Sequence, residues 1–136
     1  MSELERVIED RIRRRYGDVL EAVNTCADVV EATWNAPGCN SRAAIVVPLR
    51  SALERRKVIQ SLPSVLLCGV TATGYELTAS PVAAPPYVVL TSRGPLLRAT
   101  LPTGRLVIRL DVFDVESDGT YRYVRLDGVR IDVSVE

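Results

Sequence analysis

The stretch "YVVLTSRGPLLRATLPTGRLVIRL", Tyr87–Leu110, decides the fold class of this chain. Hydrophobic and polar residues alternate along it with a period of two, so that Leu97 and Leu101 lie on one side of an extended chain and Arg98 lies on the other. The motif "PTG" at 102–104 separates this run from a second alternating run. The pattern predicts two antiparallel strands that are joined by a hairpin and present one apolar face.

Two further turn motifs follow downstream, "SDG" at 117–119 and "LDG" at 126–128. The alternation continues after them and ends in the run "VRIDVSVE" at 129–136. Short strands separated by glycine-containing turns at this spacing favour an antiparallel meander. We therefore expect a sheet of roughly five strands over residues 87–136.

The residues before the strand half repeat with the period of a helix. Ser2 and Glu5 match the capping box that begins many helices. Apolar residues then recur three and four positions apart, with a break at "NAPGCNSR", 35–42, and a new helix start near Pro63. At Gly17 the pattern allows either one bent helix or two helices that meet.

Together these patterns predict an α+β fold that forms a single domain over residues 1–136. Its parts are a helical half (1–76), a connector rich in proline and alanine (77–86) and an antiparallel strand half (87–136). The N-terminal helices are expected to pack on one face of the meander sheet, because the strands alternate between apolar and polar residues.

The charge balance of the chain is neutral, with seventeen basic and seventeen acidic side chains among its 136 residues. No overall field therefore attracts nucleic acid or an anionic membrane, and any electrostatic site must be local. No apolar run reaches the roughly 20 residues that a membrane span requires, and the N-terminus lacks the apolar core of a secretory signal. We expect a cytoplasmic protein that does not associate with membranes.

The chain contains no histidine and three cysteines, Cys26, Cys39 and Cys68. The absence of histidine excludes Ser-His and Cys-His catalysis and the zinc sites that use histidine. The cysteine spacings match no metal motif, so we interpret the three as reduced thiols and expect no metal and no cofactor. Cys39 precedes a predicted helix start, where a thiol can become reactive, but without a base beside it a structural thiol is favoured.

The turn between the first two strands is the candidate contact site for a ligand or partner. Its residues are Thr91, Ser92, Arg93 and Gly94. One interpretation is a structural hairpin bend, since Gly94 is conformationally permissive and Pro95 interrupts a regular ladder. The other is an anion contact made by successive backbone donors and the Arg93 guanidinium. The structural interpretation is favoured, and no catalytic residue is predicted.

Clusters of arginine define an alternative, nucleic-acid-binding surface. Its residues are Arg11, Arg13, Arg14 and Arg15 on the first helix with Arg98 and Arg109 on the sheet, extended by Arg105, Arg122, Arg125 and Arg130. Acidic residues flank the helical cluster, so pairing at i,i+4 on a solvated helix face is the favoured interpretation of it. Aspartates interleaved with the sheet arginines would oppose phosphate, so nucleic acid is not the favoured partner.

Two segments together resemble a known family. They are "LPSVLLCGVTATGYEL" at 62–77 and "PVAAPPYVVLTSRGPLLRATLPTGRLVIRL" at 81–110, and the likeness extends over most of the chain. They are similar to a family of small uncharacterised proteins from halophilic archaea, to which no activity is assigned, so the resemblance implies a source and no mechanism. The single lysine among the basic residues, Lys57, agrees with such a source, whereas the neutral net charge departs from it.

The favoured function is that of a non-enzymatic protein-interaction or regulatory module. The alternatives are the nucleic-acid-binding module described above and an enzyme that works without histidine chemistry. The expected partner is an unknown protein or a second copy of the chain, because the last strand would leave an unpaired sheet edge. The contact is expected either at this strand, Ile131 to Val135, or at the apolar helix stripe near Trp34. We therefore expect a homo-oligomer or a partner-dependent assembly.

Overall fold

The computed structural model describes residues 1–117 and 119–136. Within them lie four α-helices: α1 (Glu3–Arg15), α2 (Gly17–Glu31), α3 (Ala43–Arg55) and α4 (Leu62–Thr73), with a 3₁₀ turn at Ile59–Ser61 before the last helix. Four strands follow: β1 (Val88–Thr91), β2 (Gly94–Leu101), β3 (Gly104–Ser117) and β4 (Tyr121–Val135). The predicted α+β class is confirmed. None of the helices in this part of the chain is long and apolar enough to cross a membrane.

The four strands form one antiparallel sheet in the order β1-β2-β3-β4. The first hairpin pairs Thr91 with Gly94, and the second pairs Leu101 with Gly104. Both turns therefore have two-residue loops, as the turn motifs in the sequence predict. The predicted turn "SDG" at 117–119 includes residue 118, which lies outside the described residues.

The prediction of roughly five strands is wrong, because the described sheet has four. The "LDG" motif at 126–128 does not reverse the chain. β4 pairs antiparallel with β3 both before and after this motif, with Arg125 opposite Phe113 and Arg130 opposite Asp111. The extra residues form a bulge in one long strand, and Gly128 adopts φ of 89° there.

The first helix begins at the predicted capping box. The Ser2 hydroxyl accepts a hydrogen bond from the Glu5 N–H at 3.2 Å, and the Glu5 carboxylate accepts one from the Ser2 N–H at 2.8 Å. The other Glu5 oxygen accepts a bond from the Val135 N–H at 2.8 Å, which links α1 to the end of β4. At Gly17 two helices meet, with Tyr16 between them.

One hydrophobic core contains buried side chains from all four helices and all four strands. A close contact between a helix and the sheet lies at Gly69 of α4. A Cβ atom there would lie 2.8 Å from Cδ1 of Ile108 and 3.1 Å from Cδ2 of Leu106, both on β3. Glycine at this position therefore lets α4 approach the sheet closely, and this contact helps to hold the segment after α4 near the β2–β3 hairpin.

Candidate anion-binding site

The turn after β1 uses its own backbone donors internally. The Thr91 hydroxyl accepts hydrogen bonds from the N–H groups of Arg93 and Gly94 at 3.1 and 3.3 Å, and it donates to the Gly94 carbonyl at 2.8 Å. Ser92 and Arg93 form the two-residue loop. An anion at this turn would therefore depend on the side chains of Ser92 and Arg93.

The same turn packs tightly against β3. Gly94 adopts φ of 145°, and a Cβ atom on it would lie 2.1 Å from the Leu110 carbonyl oxygen. The Arg93 carbonyl accepts hydrogen bonds from the N–H groups of Val112 and Phe113 at 2.8 and 3.0 Å. These contacts fix the position of the Arg93 side chain relative to β3.

Arg93 belongs to a group of ion pairs that we call the Arg–Asp cluster. Its members are Arg93, Arg109 and Arg130 with Asp111, Asp114 and Asp132. The distances between guanidinium nitrogens and carboxylate oxygens range from 2.5 Å, for Arg109 and Asp132, to 3.6 Å. Three positive and three negative groups make the formal charge of the cluster zero, so it offers little net attraction to an outside anion.

Asp111 is the most enclosed carboxylate of the Arg–Asp cluster, with 1% of its surface exposed. Its Oδ2 atom lies 3.6 Å from Arg109 and 3.5 Å from Arg130 but accepts no hydrogen bond. Burial raises the pKa of Asp111, and the two guanidinium groups only partly oppose this effect. The pKa of Asp114 is lowered, first by a hydrogen bond from the Val115 N–H and then by the nearby arginines.

A cavity of about 450 Å³, which we call the arginine pocket, lies beside the β2–β3 hairpin. Its lining comes from residues 77–87, which precede β1, and from β2 and the start of β3. The lining residues are Leu77, Thr78, Ala79, Pro86 and Tyr87 from the first segment, and Arg98, Ala99, Thr100 and Arg105 from the two strands. Because Thr100 pairs with Arg105 and Arg98 pairs with Val107, the two arginines are diagonal neighbours on adjacent strands.

The two arginines of the pocket are held differently. The Arg98 Nε–H donates to the Pro86 carbonyl at 2.9 Å, and its backbone N–H donates to the Tyr87 carbonyl, also at 2.9 Å. The Arg105 backbone exchanges two hydrogen bonds with Glu136 at 3.1 and 2.9 Å. The connector thus restricts the Arg98 guanidinium, whereas the end of β4 fixes only the backbone of Arg105.

Neither arginine of the pocket has a carboxylate within 4 Å among the described residues. The other arginines of the strand half all form ion pairs there, namely Arg93, Arg109, Arg122, Arg125 and Arg130. Uncompensated positive charge on the sheet is therefore concentrated at Arg98 and Arg105.

A family model matches residues 6–136 of the chain, and its description is a domain of unknown function, DUF7988. The chain belongs to this family. The expected membership of an uncharacterised family is thereby confirmed. No curated protein and no solved structure matches the chain.

The arginines of α1 do not join the pocket. Arg13 forms an ion pair with Glu9 at 3.0 Å, and Arg14 pairs with Asp10, in both cases one helical turn apart. The pair with Arg14 lowers the pKa of Asp10. Arg11 and Arg15 lie on the same exposed part of the helix, and α1 packs against β4 and α4. Of the six residues in the predicted nucleic-acid surface, only Arg98 lines the pocket.

Arg125 lies in the interior instead of on an exposed basic surface, and its side chain is 9% exposed. Its guanidinium donates to the carbonyl oxygens of Asn24, Val112 and Leu126 and pairs with Asp28 at 3.1 Å. It joins α2 to the β3–β4 bulge. The sequence contained a signal for this. From Ile131 onward the inward-facing residues of β4 have odd numbers, and Arg125 also has an odd number.

A second cavity, of about 540 Å³, lies between the segment after α2 and the start of β4. Trp34, Cys39 and Tyr121 contribute to its lining. Cys39 forms an isolated bridge with Tyr123, with hydrogen bonds of 3.0 and 2.6 Å between their backbones. Cys39 thus has a structural contact here, and no basic side chain forms a hydrogen bond with its thiol among the described residues.

Proposed function

We propose that this protein is a non-enzymatic regulatory or interaction module that binds an anionic partner in the arginine pocket. One observation carries the proposal: Arg98 and Arg105 line a cavity and have no carboxylate partner within residues 1–117 and 119–136, whereas the other arginines of the strand half form ion pairs there. Guanidinium groups bind carboxylate and phosphate oxygens through paired, charge-assisted hydrogen bonds. A bound anion would supply the negative charge that Arg98 and Arg105 lack among the described residues.

Binding is favoured over catalysis because of where the perturbed carboxylate lies. Asp111 has a raised pKa, which is a property expected of a general base. It is nevertheless enclosed below Arg109 and Arg130, and its neighbours leave 1% of its surface exposed. A substrate could not approach it without separating these ion pairs.

A local anion is also favoured over a continuous nucleic-acid track. Phosphate contacts along a strand require several free cationic groups in a row. Arg13, Arg14 and Arg109 each have an acidic partner, and such pairs must first be broken or shared. Arg98 and Arg105, which have no carboxylate within 4 Å among the described residues, instead line one cavity, which suits a single anionic group.

The test is a titration with anions of different classes at about 50 mM salt, using acetate, inorganic phosphate, hexaglutamate and oligothymidylate. We expect at least one of them to shift the NMR signals of Arg98 and Arg105. Since a hydrogen bond to a charged group contributes about 1.5–3 kcal/mol, the double variant R98A/R105A should lose at least tenfold in affinity. Arg122→Ala is the matched control, because Arg122 is exposed on the same sheet and away from the pocket. Binding that survives in the double variant would contradict the proposal.

Self-association is a second part of the proposal. The edge of β4 is largely covered by α1, because the Glu5 side chain binds the Val135 N–H and Arg13 donates to the Val129 carbonyl at 3.4 Å. Val133, which lies between them, is 3% exposed, so a second copy could pair with this edge only if α1 moved aside. Light scattering should detect a dimer, and a monomer at all concentrations would refute this part.

The remaining parts of the proposal concern the location of the protein, its source and the packing of its helices. We propose a cytoplasmic location, since the three free cysteines suit a reducing compartment. We also propose a halophilic archaeal source, in view of the single lysine, Lys57. The helices are proposed to cover one face of the sheet, which the alternation of buried Leu97 and Ala99 with exposed Arg98 supports.

A further inference from the structure

We infer that the ligand of the arginine pocket carries a phosphate monoester on a small apolar or aromatic body. The inference rests on the proposed function, because it specifies the anion that Arg98 and Arg105 bind. Three properties of the pocket support it: its charge, the arrangement of its donors and its apolar lining residues.

The charge of the pocket matches a dianion better than a single carboxylate. Arg98 and Arg105 contribute two positive charges, and no carboxylate lies within 4 Å of either among the described residues. A phosphate monoester carries a charge of about −1.5 to −2 at neutral pH, whereas a carboxylate carries about −1. Glu136 is hydrogen-bonded to the Arg105 backbone and is the nearest acidic residue along the ladder, so its charge should weaken binding moderately.

The donors approach the pocket from more than one direction. Diagonal neighbours on adjacent strands have Cα atoms about 7–8 Å apart, so the guanidinium groups of Arg98 and Arg105 can contact different oxygens of one anion. Thr78 and Thr100 also line the cavity, and each carries a hydroxyl group. One arginine fork already satisfies the two oxygens of a planar carboxylate, whereas the three oxygens of a phosphate can use both arginines and a hydroxyl.

The volume and the apolar lining residues indicate that the phosphate is attached to an organic group. The pocket measures about 450 Å³, which falls in the range of about 300–1,000 Å³ that is typical of small-molecule sites. Leu77, Pro86 and Tyr87 provide apolar and aromatic contact surface. Tyr87 also packs against the hydrophobic core, so its ring is held in position. Arg98 is likewise restrained by its bond to the Pro86 carbonyl, which lowers the conformational entropy lost on binding.

The test compares four small probes by isothermal titration at pH 7.5: phenyl phosphate, inorganic phosphate, phenyl sulfate and benzoate. Phenyl phosphate should bind most tightly, by about tenfold over the others, because it alone combines the dianion with a ring. At pH 5, below its second pKa of about 6, its affinity should fall to that of phenyl sulfate, which does not titrate. Phenyl sulfate should bind equally at both pH values.

Variants locate the binding. Arg98→Ala and Arg105→Ala should each weaken phenyl phosphate at least tenfold, and Arg122→Ala should leave the affinity unchanged. Tyr87→Leu should weaken phenyl phosphate and leave inorganic phosphate unaffected, and a thermal melt checks that this variant folds. If Tyr87→Leu does not fold, the ratio of affinities for phenyl phosphate and inorganic phosphate in the parent protein tests the same contact. Glu136→Gln should strengthen binding a few-fold.

The outcomes separate this inference from the proposed function. If benzoate or phenyl sulfate binds as tightly as phenyl phosphate and requires Arg98 and Arg105, the pocket binds anions but the phosphate assignment is wrong. If no anion binds, both are wrong. A phosphotyrosine peptide serves as a further arm: tighter binding than phenyl phosphate would identify a protein as the source of the phosphate, and equal or weaker binding supports a small molecule.

Discussion

Replacing Arg125 with methionine should destabilise the fold far more than the same change at an exposed arginine of the same strand. Arg125 donates to the Asn24 carbonyl at 3.0 Å, to the Val112 carbonyl at 3.2 Å and to the Leu126 carbonyl at 2.5 Å. It also pairs with Asp28 at 3.1 Å. Methionine preserves an unbranched apolar side chain but removes every donor.

The magnitude follows from these contacts. A hydrogen bond to a charged group contributes about 1.5–3 kcal/mol, and three carbonyl groups lose such a bond. The ion pair with Asp28 adds about 0–1 kcal/mol, because the Asp28 side chain is 62% exposed. The desolvation of a buried guanidinium offsets part of this, and Nε of Arg125 has no partner among the described residues. We expect a net loss of about 2–4 kcal/mol, a large share of the roughly 5–15 kcal/mol by which domains are stable.

The assay is equilibrium urea unfolding of the parent protein, Arg125→Met and the control Arg122→Met. Arg122 pairs with Glu116 at 3.2 Å, and both side chains are 54% exposed, so its replacement should change the free energy of unfolding by less than about 1 kcal/mol. The dependence on urea should stay the same for all three proteins. Equal destabilisation by the two substitutions would refute the claim that Arg125 holds α2 to the bulge.

Three further changes test the turn, the buried carboxylate and the first helix. Gly94→Ala should cost at least about 2 kcal/mol in thermal or urea unfolding, because its Cβ would collide with the Leu110 carbonyl; an unchanged midpoint would contradict the packing of the turn. Burial raises the pKa of Asp111 above 3.8, so the native state keeps this proton to a higher pH than the unfolded state does. The free energy of unfolding of the parent protein, relative to that of Asp111→Asn, should therefore fall as pH rises from about 4 through the raised pKa. Urea unfolding at several pH values measures this difference, and a difference that rises with pH would count against it. Glu5→Ala removes the capping box, which should lower the free energy of unfolding by about 0.5–2 kcal/mol. It should also accelerate amide exchange at Val135, and an unchanged exchange rate would mean that the contact does not protect this amide.

The sequence by itself determined the features that depend on residues close together in the chain. The capping box of Ser2 and Glu5 spans three positions, and it is present at the start of α1. The turn at Thr91–Gly94 needs only a hydroxyl and a permissive glycine, and the alternation after it places the strand residues on two sides. Such patterns are readable because the interactions that stabilise them form within a few residues.

The number of strands depended on a contact with distant residues. Glycine with positive φ serves a hairpin turn and a bulge equally well, so the "LDG" motif at 126–128 could not distinguish them. The bulge is selected by Arg125, which reaches Asn24 and Asp28 on α2, about a hundred positions earlier in the chain. Reversal of the chain at this point would remove Arg125 from these partners.

The arginine pocket likewise depends partly on local sequence and partly on tertiary structure. The "PTG" turn at 102–104 and the alternation of the two strands suffice to place Arg98 and Arg105 on one surface as diagonal neighbours. That they lack acidic partners among the described residues, while Arg93 and Arg109 have them, depends on which aspartates the register brings together. The rest of the lining is formed by residues 77–87, whose connector part has no periodic pattern, and the bond from Arg98 to the Pro86 carbonyl attaches it to β2. Only the tertiary structure could decide this arrangement, because a cavity exists where segments far apart in sequence face each other, and no local preference encodes that distance.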